Sequence, residues 1–268
     1  STSWLENLTI EGHLNKMKTP EPKKDRKTKT AIFANSKGGV GKSTLALLTC
    51  LGLASRFKRA SVELIDLDSQ STSSDSLQKF ANDRFSVIND DHLFLASGSP
   101  NNGNIVNHID SEPRNSEKDS FLIFDSPAGN EPARSSFLLR CNLIFVPTSV
   151  SDADVHATKK YLRSLRDLFD RQNQQPSEVG SPAIVILPNM MDSREEYNEL
   201  RQTLADEPVY YGEPLYFSTV FRRAFRDEEN DTNVKRLMLD SAAYVNWITS
   251  LILNSEELNG AEAKLFQL

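Results

Sequence analysis

Short apolar runs, each closed by a polar residue or a proline, recur along the chain at Thr30 to Asn35, Val62 to Asp66, Phe121 to Asp125, Leu143 to Pro147 and Ala183 to Pro188. Continuous apolar runs of this length predict strands buried on both faces, which is the condition of parallel strands. Between the runs the spacing becomes helical. Val155, Leu162, Leu165 and Phe169 mark one apolar stripe, and Leu237, Tyr244, Val245, Ile248 and Ile252 mark another. Alternation of strand with helix predicts an α/β fold: a doubly wound, mostly parallel sheet with helices on both faces. The stretch from Ser97 to Ser120 is rich in Asn, Ser, Gly, Pro and charge, with Ile105, Val106 and Ile109 as its apolar knot. It is expected to form a surface excursion.

Charge divides the chain. Lys16, Lys18, Lys23, Lys24, Arg26, Lys27 and Lys29 crowd around Pro20 and Pro22, so residues 1–29 read as a basic arm or linker, and residues 30–268 as one α/β domain. A hydrophobic share of 38% with only 11 Gly and 12 Pro excludes collagen-like and wholly disordered chains. The formal net charge of −6 leaves no global footprint for nucleic acid, so any such binding must come from a local patch. Cys50 and Cys141 sit in no CxxC pair and at no metal-ligand spacing. With a polar start, Ser1-Thr2-Ser3-Trp4-Leu5-Glu6, and no apolar run of membrane-spanning length, the expected location is cytoplasmic.

The chemistry gathers between the first strand and the helix that follows it. Ser36-Lys37-Gly38-Gly39-Val40-Gly41-Lys42-Ser43-Thr44 leads into Leu45, Leu47, Leu48 and Leu51. Glycines let the backbone curl so that several N–H groups point inward, and the helix adds its positive N-terminal end, making a cradle for a polyphosphate. Lys42 is then placed against the β and γ phosphates, Ser43 against Mg²⁺, and Thr44 near an α-phosphate oxygen. The loop departs from the ordinary pattern in two ways: Ser36 stands where the first glycine would fall, and Lys37 adds a second cation. That lysine either contacts the chain's own phosphates or points outward to another subunit's nucleotide.

These residues resemble the deviant Walker A signature, KGGxGK[ST], of the ParA/MinD family of partition and positioning ATPases. The resemblance extends over about Thr30 to Ile252. Leu64-Ile65-Asp66-Leu67-Asp68-Ser69-Gln70 matches the family's Asp-x-Asp segment; it implies that Asp68 orients the attacking water and Asp66 supports the Mg²⁺ shell. Phe121-Leu122-Ile123-Phe124-Asp125-Ser126-Pro127-Ala128-Gly129 fits a Walker B strand, with Asp125 holding Mg²⁺ through water beside Ser43. Leu187-Pro188-Asn189-Met190-Met191-Asp192-Ser193-Arg194 resembles the family's strand-end segment that reads the base. There Asn189 is either a bonding partner for the adenine edge or a turn-forming residue after proline.

The resemblance implies an ATPase with ATP and Mg²⁺ as its ligands and a slow basal rate. Lys37 would reach across to a second subunit, so that ATP holds a homodimer together and hydrolysis dissolves it. A switch of that kind segregates or positions plasmid or chromosomal DNA, or another large cargo, by binding nonspecific DNA in the ATP state. A ParB-like or adaptor protein would stimulate its release, and the protein would be nucleoid-associated. Candidate DNA contacts are Arg222, Arg223, Arg226, Lys235 and Arg236; a second basic cluster, Lys159, Lys160, Arg163 and Arg166, is diluted by Asp167 and Asp170. The alternatives are a MinD-like membrane cycle or a conjugation or cargo system on a non-DNA scaffold. Membrane binding is disfavoured because Glu256, Glu257 and Glu262 outweigh Lys264 in the C-terminal stretch.

Overall fold

The computed structural model describes residues 28–35, 42–67, 78, 81–82, 85–89, 91–115, 119–127, 131–173, 182–212, 214–216, 239 and 241–258. Its centre is a parallel sheet built from β1 (Thr28–Phe33), β2 (Ser61–Asp66), β3 (Phe85–Ile88), β6 (Ser120–Asp125), β7 (Leu143–Thr148), β8 (Ala183–Met191), β9 (Tyr210–Tyr211) and β10 (Leu215–Tyr216). The strand order is β10-β8-β7-β1-β6-β2-β3, with β9 also pairing to β8. The short strands β4 (Leu95–Ala96) and β5 (Ser99–Pro100) form a separate antiparallel pair.

The chain runs outward from β1 to β2 and β3, returns to insert β6 beside β1, and then builds β7 and β8 on the other side. Strand order therefore reverses around β1. In an open α/β sheet, the carboxyl ends of the strands at such a reversal border the ligand crevice.

Alternation along each strand feeds two cores. Ala31, Phe33, Val62, Leu64, Phe121, Ile123 and Phe145 pack with α1 (Lys42–Arg56) and α5 (Ala242–Leu253). Ile32, Ile65, Leu122, Phe124, Ile144 and Val146 face the opposite way. That second core is covered by α2 (Asn102–Asn115), α3 (Asp152–Asn173) and α4 (Arg194–Thr203), with a 3-10 segment at Ser136–Arg140. Helix α4 starts where Ser193 accepts a hydrogen bond from the Glu196 N–H, while the Glu196 carboxylate reaches back to the Asp192 N–H at 2.7 Å.

Two of the buried charged residues meet a partner from a distant part of the chain. Lys29, at the start of β1, is ion-paired with Glu256 just beyond α5. Glu63 on β2 meets the His108 imidazole of α2 at 3.1 Å, and that ring packs edge-on against Phe94.

The doubly wound arrangement agrees with the sequence reading, and one region corrects it. The stretch Ser97 to Ser120 carries β5, the helix α2 and the start of β6, and is not a bare excursion. Ile105 and Ile109 of the apolar knot are 0% and 7% exposed, with Val106 partly buried beside them, because they are the core-facing turn of an amphipathic helix whose other face carries Asn, Ser and charge. Residues 1–27 of the basic arm, and Leu237 of the last apolar stripe, lie outside the described residues.

Candidate functional site

The carboxyl ends of β1, β2, β6 and β7 are locked in register. Asp125 pairs with Phe33 on one side and with Asp66 on the other. Beyond the strands, the Ser126 N–H donates to Phe33 O, Leu67 N–H to Asp125 O, and Ala34 N–H to Phe145 O, at 3.1, 3.0 and 2.9 Å. Asp66 and Asp125 fall on the same face as Leu64 and Ile123, which is the face that α1 covers. This is a consequence of the two-residue period of the strands.

Helix α1 begins at Lys42, so Lys42, Ser43 and Thr44 occupy its first turn, immediately behind the glycine segment. The Ser43 hydroxyl donates to Asp125 Oδ2 at 2.6 Å. Lys42, Asp66 and Asp125 are 8%, 2% and 4% exposed, so all three charged residues are buried, the two carboxylates on neighbouring strands in register. Asp125 also acts on the interior of α1: burial first, and then its charge, push the Cys50 thiol well above the ordinary range. A hydroxyl and carboxylates are hard oxygen donors, the set that suits Mg²⁺. Among the described residues no cluster of three or more His, Cys, Asp or Glu side chains forms a metal cage. Mg²⁺ needs none, since it is held by one or two carboxylates together with phosphates and water.

Asn189 lies two strands from β1, near the same end of the sheet, paired in register with Leu215 and 2% exposed. The next residue, Met190, has φ 57°, in the left-handed region. This breaks the alternation of β8, so that Met191 drops into the α3/α4 core although Leu187, four residues earlier, faces α1 and α5. Departures of this sort gather where a backbone is shaped for a ligand.

Lys37, Gly38, Gly39, Val40, Gly41 and Asp68, and the basic residues Arg222, Arg223, Arg226, Lys235 and Arg236, lie outside the described residues. In the other basic cluster, Lys160 and Arg163 are exposed on α3, and Arg166 is paired with Glu207 at 3.4 Å. A hollow of about 250 Å³ opens between α3 and α4, lined by Asp152, His156, Lys159 and Glu199, on the sheet face opposite Lys42.

One buried polar residue escapes the sequence reading. Asn35, where the first apolar run ends, looks there like a strand terminator. In the fold its carboxamide is buried and donates to Pro147 O at 2.7 Å and to Thr158 Oγ1 at 3.0 Å. Its only signal in the sequence is a polar residue adjoining the glycine loop, with partners more than a hundred residues away.

A parallel sheet with its order reversed at β1, followed by a helix that opens on a lysine and whose next residue offers its hydroxyl to a strand-end carboxylate, defines a phosphate-loop α/β protein. Within that class the chain belongs to the CobQ/CobB/MinD/ParA nucleotide-binding domain family, whose model matches residues 31–229. No curated protein matches the chain. Among solved structures, apo McdA from Cyanothece is 16% identical, with a TM-score of 0.58 over 86% of this chain and 99% of that one. A plasmid partition protein of Borrelia burgdorferi B31 bound to AMPPNP is 16% identical, with a TM-score of 0.53 over 86% and 100% of the two chains. The pNOB8 ParA bound to nonspecific DNA is 15% identical, with a TM-score of 0.52 over 85% and 97%. At these identities the likeness is one of fold. No helix of the described residues is long and apolar enough to cross a membrane.

Proposed function

We propose that this protein is an ATP-driven dimer switch that positions DNA or another large cargo, hydrolysing ATP to ADP and phosphate at a slow basal rate. The observation that carries the reading is the contact of Ser43 with Asp125 at 2.6 Å, directly behind Lys42 and the Lys37-to-Gly41 segment. Amides of Gly38, Gly39, Val40 and Gly41 cradle the phosphates, Lys42 neutralises the β and γ groups, and Thr44 supports the α-phosphate. Ser43, with Asp125 acting through water and Asp66 supporting the shell, would hold Mg²⁺, which would supply the charge neutralisation that amides and Lys42 leave incomplete. Asp68 orients the attacking water, and Asn189 pairs with the adenine edge through a carboxamide that both donates and accepts.

Lys37 contacts the nucleotide of a second subunit. The γ-phosphate thereby binds the dimer and the monomer with different affinity, which is what a switch requires. Arg222, Arg223, Arg226, Lys235 and Arg236 contact the DNA backbone, and dimerisation doubles the number of phosphate contacts. Binding of nonspecific DNA in the ATP state puts the protein on the nucleoid, and a ParB-like or adaptor protein accelerates hydrolysis and releases it. Membership of the family and the likeness in fold to a ParA bound to nonspecific DNA support this choice of surface.

The test is binding of the purified protein to nonspecific duplex DNA with ATP, with ADP and without nucleotide, at two salt concentrations. Binding that is selective for ATP and sensitive to salt is the expected result. Absence of binding under every condition overturns the DNA surface and turns the question to liposomes, as a MinD-like membrane cycle would require, or to a protein scaffold.

A further inference from the structure

The phosphate loop has two roots, and the function proposed above uses only one of them. At its far end, Ser43 ties the start of α1 to β6 through Asp125. At its near end stands Asn35, 1% exposed and the last described residue before the loop. Its amide nitrogen donates to Pro147 O on β7 at 2.7 Å and to Thr158 Oγ1 on α3 at 3.0 Å. Thr158 Oγ1 in turn donates to Thr148 Oγ1 at 2.9 Å, and the Thr148 hydroxyl to Ser149 O at 3.2 Å. Thr148 and Thr158 are both 0% exposed. A side-chain amide has two hydrogens to place, and here both are placed.

A polar chain of this kind is a costly way to fill a core. Burying a carboxamide and two hydroxyls is tolerated only when their hydrogen bonds are made, and the surrounding residues, Ile32, Ala34, Ile144 and Val146, show that apolar packing is available. What hydrogen bonds add over apolar contacts is direction. An aliphatic side chain at position 35 would hold the strand end in the core yet let it rotate, whereas a carboxamide bonded to β7 and to α3 fixes both the position and the exit angle of the backbone.

We propose that Asn35, clasped by Thr158 and Thr148, is a positioning residue of the nucleotide site: it sets the direction in which the phosphate loop leaves β1 and makes α3 part of the loop's support. This rests on the nucleotide-binding reading of the loop. Residues 36–42 join the Asn35 anchor to the Ser43 anchor, so an error at either root is carried into the groups between them that would bind phosphate. The Asn35 side chain itself touches no nucleotide. Its effect is therefore on affinity for the phosphate chain, shared by ATP and ADP, and leaves recognition of the base alone.

The decisive comparison sets wild type against Thr158→Val and Thr158→Ser, by titration with ATP and with ADP and by the thermal midpoint without nucleotide. Valine keeps the shape of threonine but strands one amide hydrogen of Asn35 and removes the bond to Thr148; serine restores both. Binding of ATP and ADP weakened about tenfold in Thr158→Val and recovered in Thr158→Ser supports the brace. A lowered thermal midpoint with unchanged affinity for both nucleotides makes the chain merely structural and overturns it. If Thr158→Val does not fold, Thr148→Val replaces it: this variant removes the bond Thr148 accepts from Thr158 and the one it donates to Ser149 O, and leaves both bonds of the Asn35 amide in place. About threefold weaker binding is then expected, and unchanged binding overturns the proposal. Wild type that binds ATP while the valine variants match it defeats the brace alone. Wild type that fails to bind ATP defeats the nucleotide reading and the brace with it.

Discussion

The Ser43 hydroxyl donates to the Asp125 carboxylate across 2.6 Å, joining the first turn of α1 to the last residue of β6. Both side chains offer oxygen to the same small volume, and Asp66 borders it from the neighbouring strand in register with Asp125. Asp125→Asn keeps the size of the side chain and removes its charge. The expected result is a 10- to 100-fold loss of ATP affinity in the presence of Mg²⁺, the usual range for disturbing a metal's support, with little change when EDTA is present. Titrations of ATP under the two conditions check it. An equal loss with and without metal would assign Asp125 to packing instead.

The two lysines of the loop are expected to separate. Lys42→Ala removes the cation that opens α1 and abolishes tight nucleotide binding. Lys37→Ala spares binding and blocks ATP-dependent dimerisation, so light scattering distinguishes the two. An intact ATP dimer in Lys37→Ala removes that residue from the partner's site. Asp68→Ala is expected to trap the dimer, and undiminished turnover in that variant excludes Asp68 from water activation.

What the sequence made legible follows from how local each signal is. The five long parallel strands were readable because apolar runs of their kind need no partner to be recognised; β9 and β10, with two residues each, carry no such signal. The region around Ile105 reads as an excursion because Asn, Ser and Gly weigh against a helix one residue at a time, while the stripe through Ile105 and Ile109 outweighs them once it meets a core. Lys42, Ser43, Asp66 and Asp125 could be named because each adjoins a strand or helix end. That Asp66 and Asp125 are neighbours could not be read from their spacing, since β6 enters beside β2 only after the chain has built β3 to β5. Asn35 was lost for the same reason: its partners Pro147 and Thr158 are brought to it by strand order.

Gly52 records how closely α5 approaches the helix that carries the phosphate loop. A Cβ at this position would lie 2.4 Å from Val245 Cγ1 and 3.1 Å from Thr249 Cγ2. Gly52→Ala gains up to about 1 kcal/mol in helix propensity and forces an overpacked contact that costs about 1–3 kcal/mol. The net expectation is a loss of roughly 1 kcal/mol in urea denaturation, recovered in Gly52→Ala/Val245→Ala, where the blocking methyl is gone. Additive losses in the double variant would show that the contact with Val245 is not the cause.

Alkaline pH is expected to weaken the fold by an ordered route. Burial pushes the Cys50 and Cys141 thiols upward from an ordinary 9.0, with the charge of Asp125 adding to the effect at Cys50. Burial likewise raises the Tyr161, Tyr197 and Tyr211 phenols from an ordinary 10.0, against a smaller opposing pull of Arg201 on the last two. Each acid is neutral in the folded protein at a pH where the unfolded chain already releases its proton. Protons lost only on unfolding favour the unfolded state, so the stabilisation is complete below the ordinary values and is lost as pH rises through and beyond them. The thiols act first and the phenols about one unit later. Each group contributes up to about 1.4 kcal/mol per pH unit once its ordinary value is passed. Urea midpoints between about pH 8 and about pH 10.5 should therefore fall with a slope that steepens near the phenol range. A flat profile across that interval would mean that these thiols and phenols titrate in the folded protein as freely as in the unfolded chain.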